Sequence, residues 1–526
     1  MPSSPTWNST LASLSRTRIG RRHRASYRLS GPTSWSLLAS VVVAITFAVV
    51  PSENKYPGAL VGSFVFFLVQ WILPACRPVS GKLICPWNWA LLVFFLQLVL
   101  LPLSVLASGP SLGVLPFLPS DRAINLATVI DAAAFIAFCV SYQFFVRRSG
   151  TDGQPKRYFK RSQPLELPYI AVYGVIGLVG FFLTFGDLNK IAEYFSDPAG
   201  YLSRFAEVQD RLGLAAGLFL RPFLGICVVM AWCSWLEHSN ARKTTILTSV
   251  ITILAIVAVC FSNATFNYNR GSVIVPLIAM LAVILSNRNR VGRRTTFSAS
   301  AIVSLVLLIA PFYGAYRGST FTGQEILRDP SVRSVLTDKV ELTEMFQVYG
   351  GAPQFLGFFL EMDNWGATPQ WGKVSGSSAL APLPVLGKQF RDSTGTAIYN
   401  RLIYGMLDVQ DQIAPFQGEA FLDFHLPGLV AAFALLGWLT FKLQTAFTES
   451  LSFFETFVWQ YFSVWICFLI FGSLSVVSQI CIYFCWPFYL YFFSRRLCPR
   501  WIGYKPRGSE LTNANPSQHK YLRSIA

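Results

Sequence analysis

Tyr316-Arg317-Gly318 opens, and Gly418-Glu419-Ala420-Phe421-Leu422-Asp423-Phe424-His425 closes, the one long polar segment between apolar runs in this chain. From Gly314 to Ala420 the segment holds eleven of the chain's 26 carboxylates against eight bases. Apolar runs stand on both sides of it, each long enough to cross a bilayer, which takes about 20 residues. The segment therefore reads as an extracytoplasmic domain held between two transmembrane helices, with chemistry expected where it meets the membrane. It is too aromatic to be a disordered linker: Phe355, Phe358, Phe359, Trp365, Trp371, Tyr399 and Tyr404 all fall inside it.

Composition agrees. The 526 residues are 53% hydrophobic and 13% charged, where a soluble domain carries about 25% charged residues. Mean hydropathy is +0.46. The net charge of +17 would suggest nucleic acid in a soluble protein. Here the bases sit in short loops between apolar runs, as the positive-inside rule demands. Ten cysteines are present and none lies in the large polar loop, so no disulfide framework is available to it.

Working outward, the apolar runs divide into twelve expected spans: Trp35–Val50, Ala59–Pro74, Trp89–Ala107, Ile124–Val146, Tyr169–Phe185, Leu212–Leu236, Thr245–Phe261, Phe266–Leu285, Ser300–Tyr313, Phe424–Phe441, and two within Phe457–Phe493 split at Gly472-Ser473. The fold class is an all-α polytopic membrane protein. Residues 1–34 form a basic cytoplasmic arm, 35–313 the first nine spans, 314–420 the large loop, 421–493 three more spans, and 494–526 a cytoplasmic tail. Loop charges support this alternation. Arg288, Arg290, Arg293 and Arg294 mark an inside loop, whereas Asp187, Glu193, Asp197, Glu207 and Asp210 fall outside. Both termini are then cytoplasmic. Within the large loop, short helices are expected over Ser331–Tyr349, Gln354–Glu361 and Ser393–Leu407, lying on the membrane surface. Asn364–Gly387 reads as loop from its Gly, Pro, Ser and Trp content.

Ionisable residues at membrane depth are functional candidates by default. Arg221 precedes Pro222 in the sixth span; it is either a ligand for a lipid phosphate or a structural partner of Asp131 in the fourth. Arg270 lies at the outer start of the eighth span, where a helix N-terminus favours anions. Arg317 stands at the outer end of the ninth, and Arg391 and Arg401 lie in the loop. Glu419, Asp423 and His425 gather at the mouth of the tenth. His suits general-base work near neutral pH, and a buried carboxylate can do the same; the alternative is a helix cap with an interfacial His. No Walker loop, dinucleotide fingerprint or zinc spacing is present. With no carboxylate pair for a divalent ion, arginines are the expected charge stabilisers. No cofactor and no metal are expected.

Asn269-Arg270-Gly271, Arg317 and Gly418-Glu419-Ala420-Phe421, set on a many-span architecture with a late outer loop, resemble the bacterial O-antigen and exopolysaccharide polymerases of the Wzy type. The likeness in architecture covers roughly residues 35 to 493. Many relatives continue the last motif as Asn-Phe-Gly-x-x-Gly; this chain reads Asp423-Phe424-His425-Leu426-Pro427-Gly428, which keeps only the Phe and the final Gly. The resemblance implies a GT-C-like glycosyltransferase of the bacterial inner membrane. It would polymerise oligosaccharide repeat units carried on undecaprenyl diphosphate, beside a flippase and a chain-length regulator. Arg270, Arg317 and Arg221 would then meet the diphosphate, Glu419 or His425 would be the base, and Trp365, Trp371 and Tyr404 would stack on sugars. An O-antigen ligase shares the architecture and the donor. A lipid-linked oligosaccharide flippase or exporter is the reading from another class, and it would call for charges deep in several spans.

Overall fold

The apolar runs fold into helices throughout in a computed structural model of the chain, and no described residue belongs to a strand. The structure describes residues 31–79, 84–149, 167–185, 189–190, 217–238, 245–264, 270–317, 342–363, 368–384, 386–405, 412–450 and 452–497.

In chain order the helices are α1 (Gly31–Val49), α2 (Gly58–Ile72), α3 (Pro86–Ser108), α4 (Asp121–Ser149), α5 (Leu167–Phe185), α6 (Pro222–His238), α7 (Thr245–Ala264), α8 (Arg270–Ser286) and α9 (Arg293–Arg317). The loop region supplies α10 (Leu342–Gly350), α11 (Pro353–Met362), α12 (Lys373–Leu380) and α13 (Gly395–Tyr404). Then come α14 (Phe416–Glu449), α15 (Phe453–Leu469), α16 (Leu474–Phe484) and α17 (Trp486–Leu497). A helix lies over each of the twelve apolar runs. Among the described residues six helices are long and apolar enough to cross a membrane, or seven if the bent pair α16–α17 is one span. The helices α1, α2, α8 and α15 are apolar but shorter.

What these helices leave outward identifies their solvent. On α7, Ile246, Val250, Leu254, Val257 and Phe261 stand exposed at helical spacing; on α5, Val172, Val175, Val179 and Phe182 do the same. Apolar stripes of this size are not left bare in water. The chain is a helical membrane protein.

Two buried apolar clusters organise the packing. The first gathers α1–α4 with α11, α13 and α14; Phe94, Phe135, Phe138 and Phe433 lie at its centre. The second gathers α5–α9 with α15–α17, around Phe454, Phe457, Phe488 and Tyr491. α15 serves both. Its first turns pack in the second cluster, while Cys467, Leu469 and the following Ile470 pack in the first. Trp89 of α3 pins the junction by donating from Nε1 to Gln460 Oε1 of α15 at 2.9 Å.

Within the first cluster, α2 comes close enough to α3 that a side chain at Gly62 would meet the Leu98 carbonyl at 2.9 Å. Leu98 lies in a wide π turn over Leu96–Leu100. Pro102 cannot donate to the carbonyl four residues earlier, and the helix loosens there.

Three expectations for the loop region change. The helix over Gln354–Glu361 is α11, but it does not lie on the membrane surface. Every residue from Pro353 to Leu360 is buried, pressed between α4 and the helices above. The stretch read as loop, Asn364–Gly387, contains α12. The boundary placed between residues 420 and 421 falls inside α14. Most of the helix expected over Ser331–Tyr349, and Trp365 with it, lies outside the described residues.

Candidate functional site

The site is built on a break in α14. Phe424 (φ −143°, ψ 22°) and His425 (φ 53°, ψ −144°) leave helical geometry, two residues before Pro427. Proline lacks an N–H and its ring clashes with the carbonyl four residues back, here that of Asp423. The carbonyls released by the break are taken by another segment. Gln370 N donates to Leu422 O at 3.0 Å, and Trp371 N donates to Asp423 O at 3.0 Å. Trp371 itself has φ 51°. Trp371 and His425 are the two non-glycine positive-φ residues among those described, and the break brings them together. The Trp371 ring meets Phe424 edge-on at 6.1 Å, and the half-buried His425 ring meets Phe421 edge-on at 5.4 Å. Trp371 is 77% exposed. A left-handed backbone is costly for such side chains, and such strain concentrates at functional sites.

Asp423 and Glu419, one turn apart on the outer segment of α14, tie the roof to the bundle. Asp423 accepts from Val374 N at 2.9 Å and Ser375 N at 2.7 Å. It thus caps α12, a helix from another part of the chain, where a carboxylate meets free N–H groups and the positive end of the dipole. Glu419 is fully enclosed. Its Oε1 accepts from Ser378 Oγ at 3.2 Å and Ser473 Oγ at 2.7 Å, and its Oε2 accepts from Leu474 N at 3.0 Å. It joins α12 to the Gly472-Ser473 break between α15 and α16. Gly395 closes over it: a Cβ there would fall 2.3 Å from the Glu419 side chain.

Two of the cations, Arg391 and Arg221, stand near Tyr483 at the far end of α12. Arg391 is exposed on the turn Leu386–Ser393, and its charge acts on the Tyr483 hydroxyl. That hydroxyl donates to Pro382 O just beyond α12. Phe219, two residues before Arg221, packs edge-on against Tyr483 at 5.2 Å. Arg221 is 5% exposed, and its guanidinium lies 5.0 Å over the Phe185 ring. Asp131 is placed elsewhere, beside Tyr56 and Gln417, so the pairing weighed for Arg221 does not form.

Arg270 begins α8 and Arg317 ends α9, and these antiparallel helices pack on each other. Both residues therefore lie at one end of a hairpin; their side chains are outside the described residues. Ser272, next but one to Arg270, shares a cavity of about 20 Å³ with Pro222, Ile480 and Phe484, room for a single water. The π turn Ile480–Phe484 is thus the meeting place of the Arg221 turn, the start of α8 and the loop that carries Arg391.

Arg401 and Tyr404 share a face of α13. Arg401 is exposed and donates to Asp392 O at 3.3 Å; Tyr404 is half-buried beside Gln412. A separate apolar groove of about 620 Å³ opens between α1, α2 and α3, lined by residues such as Trp35, Val42, Phe66 and Leu103. Sequence reasoning did not find Tyr483, Ser378 or Ser473. The Gly472-Ser473 pair was legible as a helix break, but nothing local marks its hydroxyl as a partner of Glu419, 54 residues away.

No protein-family model matches the chain, and no curated protein and no solved structure matches it either.

Proposed function

We propose that the chain is a membrane glycosyltransferase that polymerises oligosaccharide repeat units carried on undecaprenyl diphosphate into a surface polysaccharide. It works at the outer face of the bacterial cytoplasmic membrane, without a cofactor. What supports the reading is the convergence of Trp371 and His425, both in strained backbone, at one break in α14, beside α12, whose far end meets the π turn on which Arg391 acts.

In this reading His425 is the general base. An acceptor-sugar hydroxyl attacks the anomeric carbon of the donor, and its proton passes to the free nitrogen of the imidazole. The bond between that carbon and the diphosphate oxygen breaks, and the lipid diphosphate leaves with the electron pair. Arg391, Arg221, Arg270 and Arg317 meet the charge that develops there. Trp371, with Tyr404 and Trp365, offers a flat face for the sugar. Glu419, enclosed and held by three donors, positions the roof instead of touching the acceptor.

The test is reconstitution of the purified chain with a labelled lipid-linked repeat unit, with products sized by gel. Long polymer from the wild type, reduced about 10²-fold or more by His425→Ala and by Arg391→Ala, supports the reading. Transfer of single units to a different lipid would identify a ligase. Movement of the intact substrate across the vesicle wall without bond formation would identify a flippase. Either result would replace the proposal.

A further inference from the structure

A second polar site lies inside the first cluster, away from the break. Asp131, on the inward face of α4, is 3% exposed and its Oδ1 makes no hydrogen bond. Two other buried groups beside it are also incomplete. Tyr56 is 4% exposed and its hydroxyl has no partner; Gln417 is 1% exposed and its Oε1 has none. The orientation of the Gln417 amide is fixed by its other end. Its Nε2 donates to the Ile470 carbonyl at 2.5 Å and to Gln97 Oε1 at 3.3 Å. Gln97, in the π turn of α3, donates to the same Ile470 carbonyl at 3.2 Å.

The elements packed against α4 bring few charges to this carboxyl. The segment before α2 brings Tyr56, α3 brings Gln97, and α14 brings Gln417. Glu361 of α11 is engaged with Ser120 N at the start of α4, and Glu419 with Ser378, Ser473 and Leu474. Among the described residues no Lys, Arg or His forms an ion pair with Asp131.

An unpaired carboxylate in such surroundings is expensive. One proton relieves this. It removes the charge and turns an orphaned acceptor on Asp131 into a donor. A hard metal cation asks for about six oxygens, whereas Ile470 O and Gln97 Oε1 are already accepting. We propose that Asp131, beside Gln417 and Tyr56, is a proton-binding site inside the membrane domain, its buried carboxyl held protonated.

The site is wired to the break between α15 and α16. When the proton leaves, the carboxylate draws on the Gln417 NH₂ group, in competition with the Ile470 carbonyl that this group meets. Ile470 is three residues from Ser473, and Gln417 is two residues from Glu419, so both ends of the Glu419 anchor sit next to the proton. The proposal stands on this geometry and does not depend on the chain being a glycosyltransferase.

The experiment is infrared spectroscopy of the full chain in lipid nanodiscs at neutral pH, in H₂O and D₂O. The wild type is expected to show a protonated carboxylic-acid C=O stretch that moves down in D₂O. Asp131→Asn, which keeps the shape, is expected to lose that band. Gln417→Leu, which removes the whole side-chain amide, is expected to keep it at a shifted frequency; this variant serves if Asp131→Asn fails to fold. A wild-type spectrum whose acid bands are unchanged in both variants overturns the proposal. So does a thermal midpoint that rises with Na⁺ but not with choline and loses that response in Asp131→Asn, because the site then holds a metal cation.

Discussion

Asp423 and Val374 are 49 residues apart, yet the carboxylate of the first accepts from the backbone N–H of the second at 2.9 Å and so caps a helix to which it does not belong. The second oxygen takes Ser375 N at 2.7 Å. Asp423→Ala removes both acceptors from the start of α12, and a lost cap costs about 1–2 kcal/mol. Asp423→Asn keeps one acceptor and loses the charge that complements the helix dipole. The thermal midpoint of the purified protein should therefore fall in the order wild type, Asn, Ala. Equal midpoints for all three would remove the roof-tying role from this residue.

That cap also explains an expectation that failed. The residues from Asn364 to Gly387 are rich in Gly, Pro, Ser and Trp, which is turn chemistry. Lys373–Leu380 is helical nonetheless, because Asp423 supplies the acceptor that its own sequence lacks. α11 was misplaced for a related reason. Its sequence suggests one apolar face, but α4 on one side and the roof on the other leave it no polar side to expose. The helices over the apolar runs were legible because a stretch of about 20 apolar residues is a local property. The break at Gly472-Ser473 was legible from its own two residues. The partners of Glu419 and Asp423 are long-range, and no spacing in the chain encodes them.

Gly395 and Glu419 give a sharper test of the roof. Gly395→Ala places a methyl 2.3 Å from an enclosed carboxyl side chain, and overpacking of this kind costs about 1–3 kcal/mol. Glu419→Ala has the opposite defect: Ser378, Ser473 and Leu474 N lose their acceptor, at about 1–3 kcal/mol for a buried group left unsatisfied. Combined in one chain, the new methyl occupies space that the shortened side chain vacates. The double variant should be less destabilised than the sum of the two, a coupling read from a double-mutant cycle. Strict additivity would mean that the contact is not what makes Gly395 necessary.

His425 carries strain that glycine would not. A backbone at φ 53°, ψ −144° is glycine territory, and holding another residue there costs on the order of 1–3 kcal/mol. His425→Gly should therefore raise the midpoint, whereas His425→Ala, strained in the same way, should not. Under the proposed function both variants lose polymer synthesis. Stability gained while activity is lost is the signature of a residue kept for chemistry. A fully active His425→Gly protein would transfer the base role away from this residue.

The last prediction concerns the C-terminal end of the bundle. Arg495 of α17 donates from one nitrogen to Glu455 Oε1 of α15 at 2.7 Å and to the Tyr491 hydroxyl at 2.7 Å, with both charged side chains only 13% exposed. The Tyr491 ring also lies beneath the guanidinium, 5.2 Å away. α16 and α17 meet at a bend of 55°, so α17 needs a fixed partner beyond the bend, and this pair provides one. Breaking a half-buried pair from one side costs more than breaking an exposed one and less than the about 3–5 kcal/mol of a fully buried one. Glu455→Gln should therefore destabilise measurably. Adding Arg495→Met to it removes the remaining charge and should recover part of the loss, since an apolar replacement of both partners is often neutral. Reversal of that order, with the double variant the less stable, would show that the guanidinium holds α17 through Tyr491 and not through Glu455.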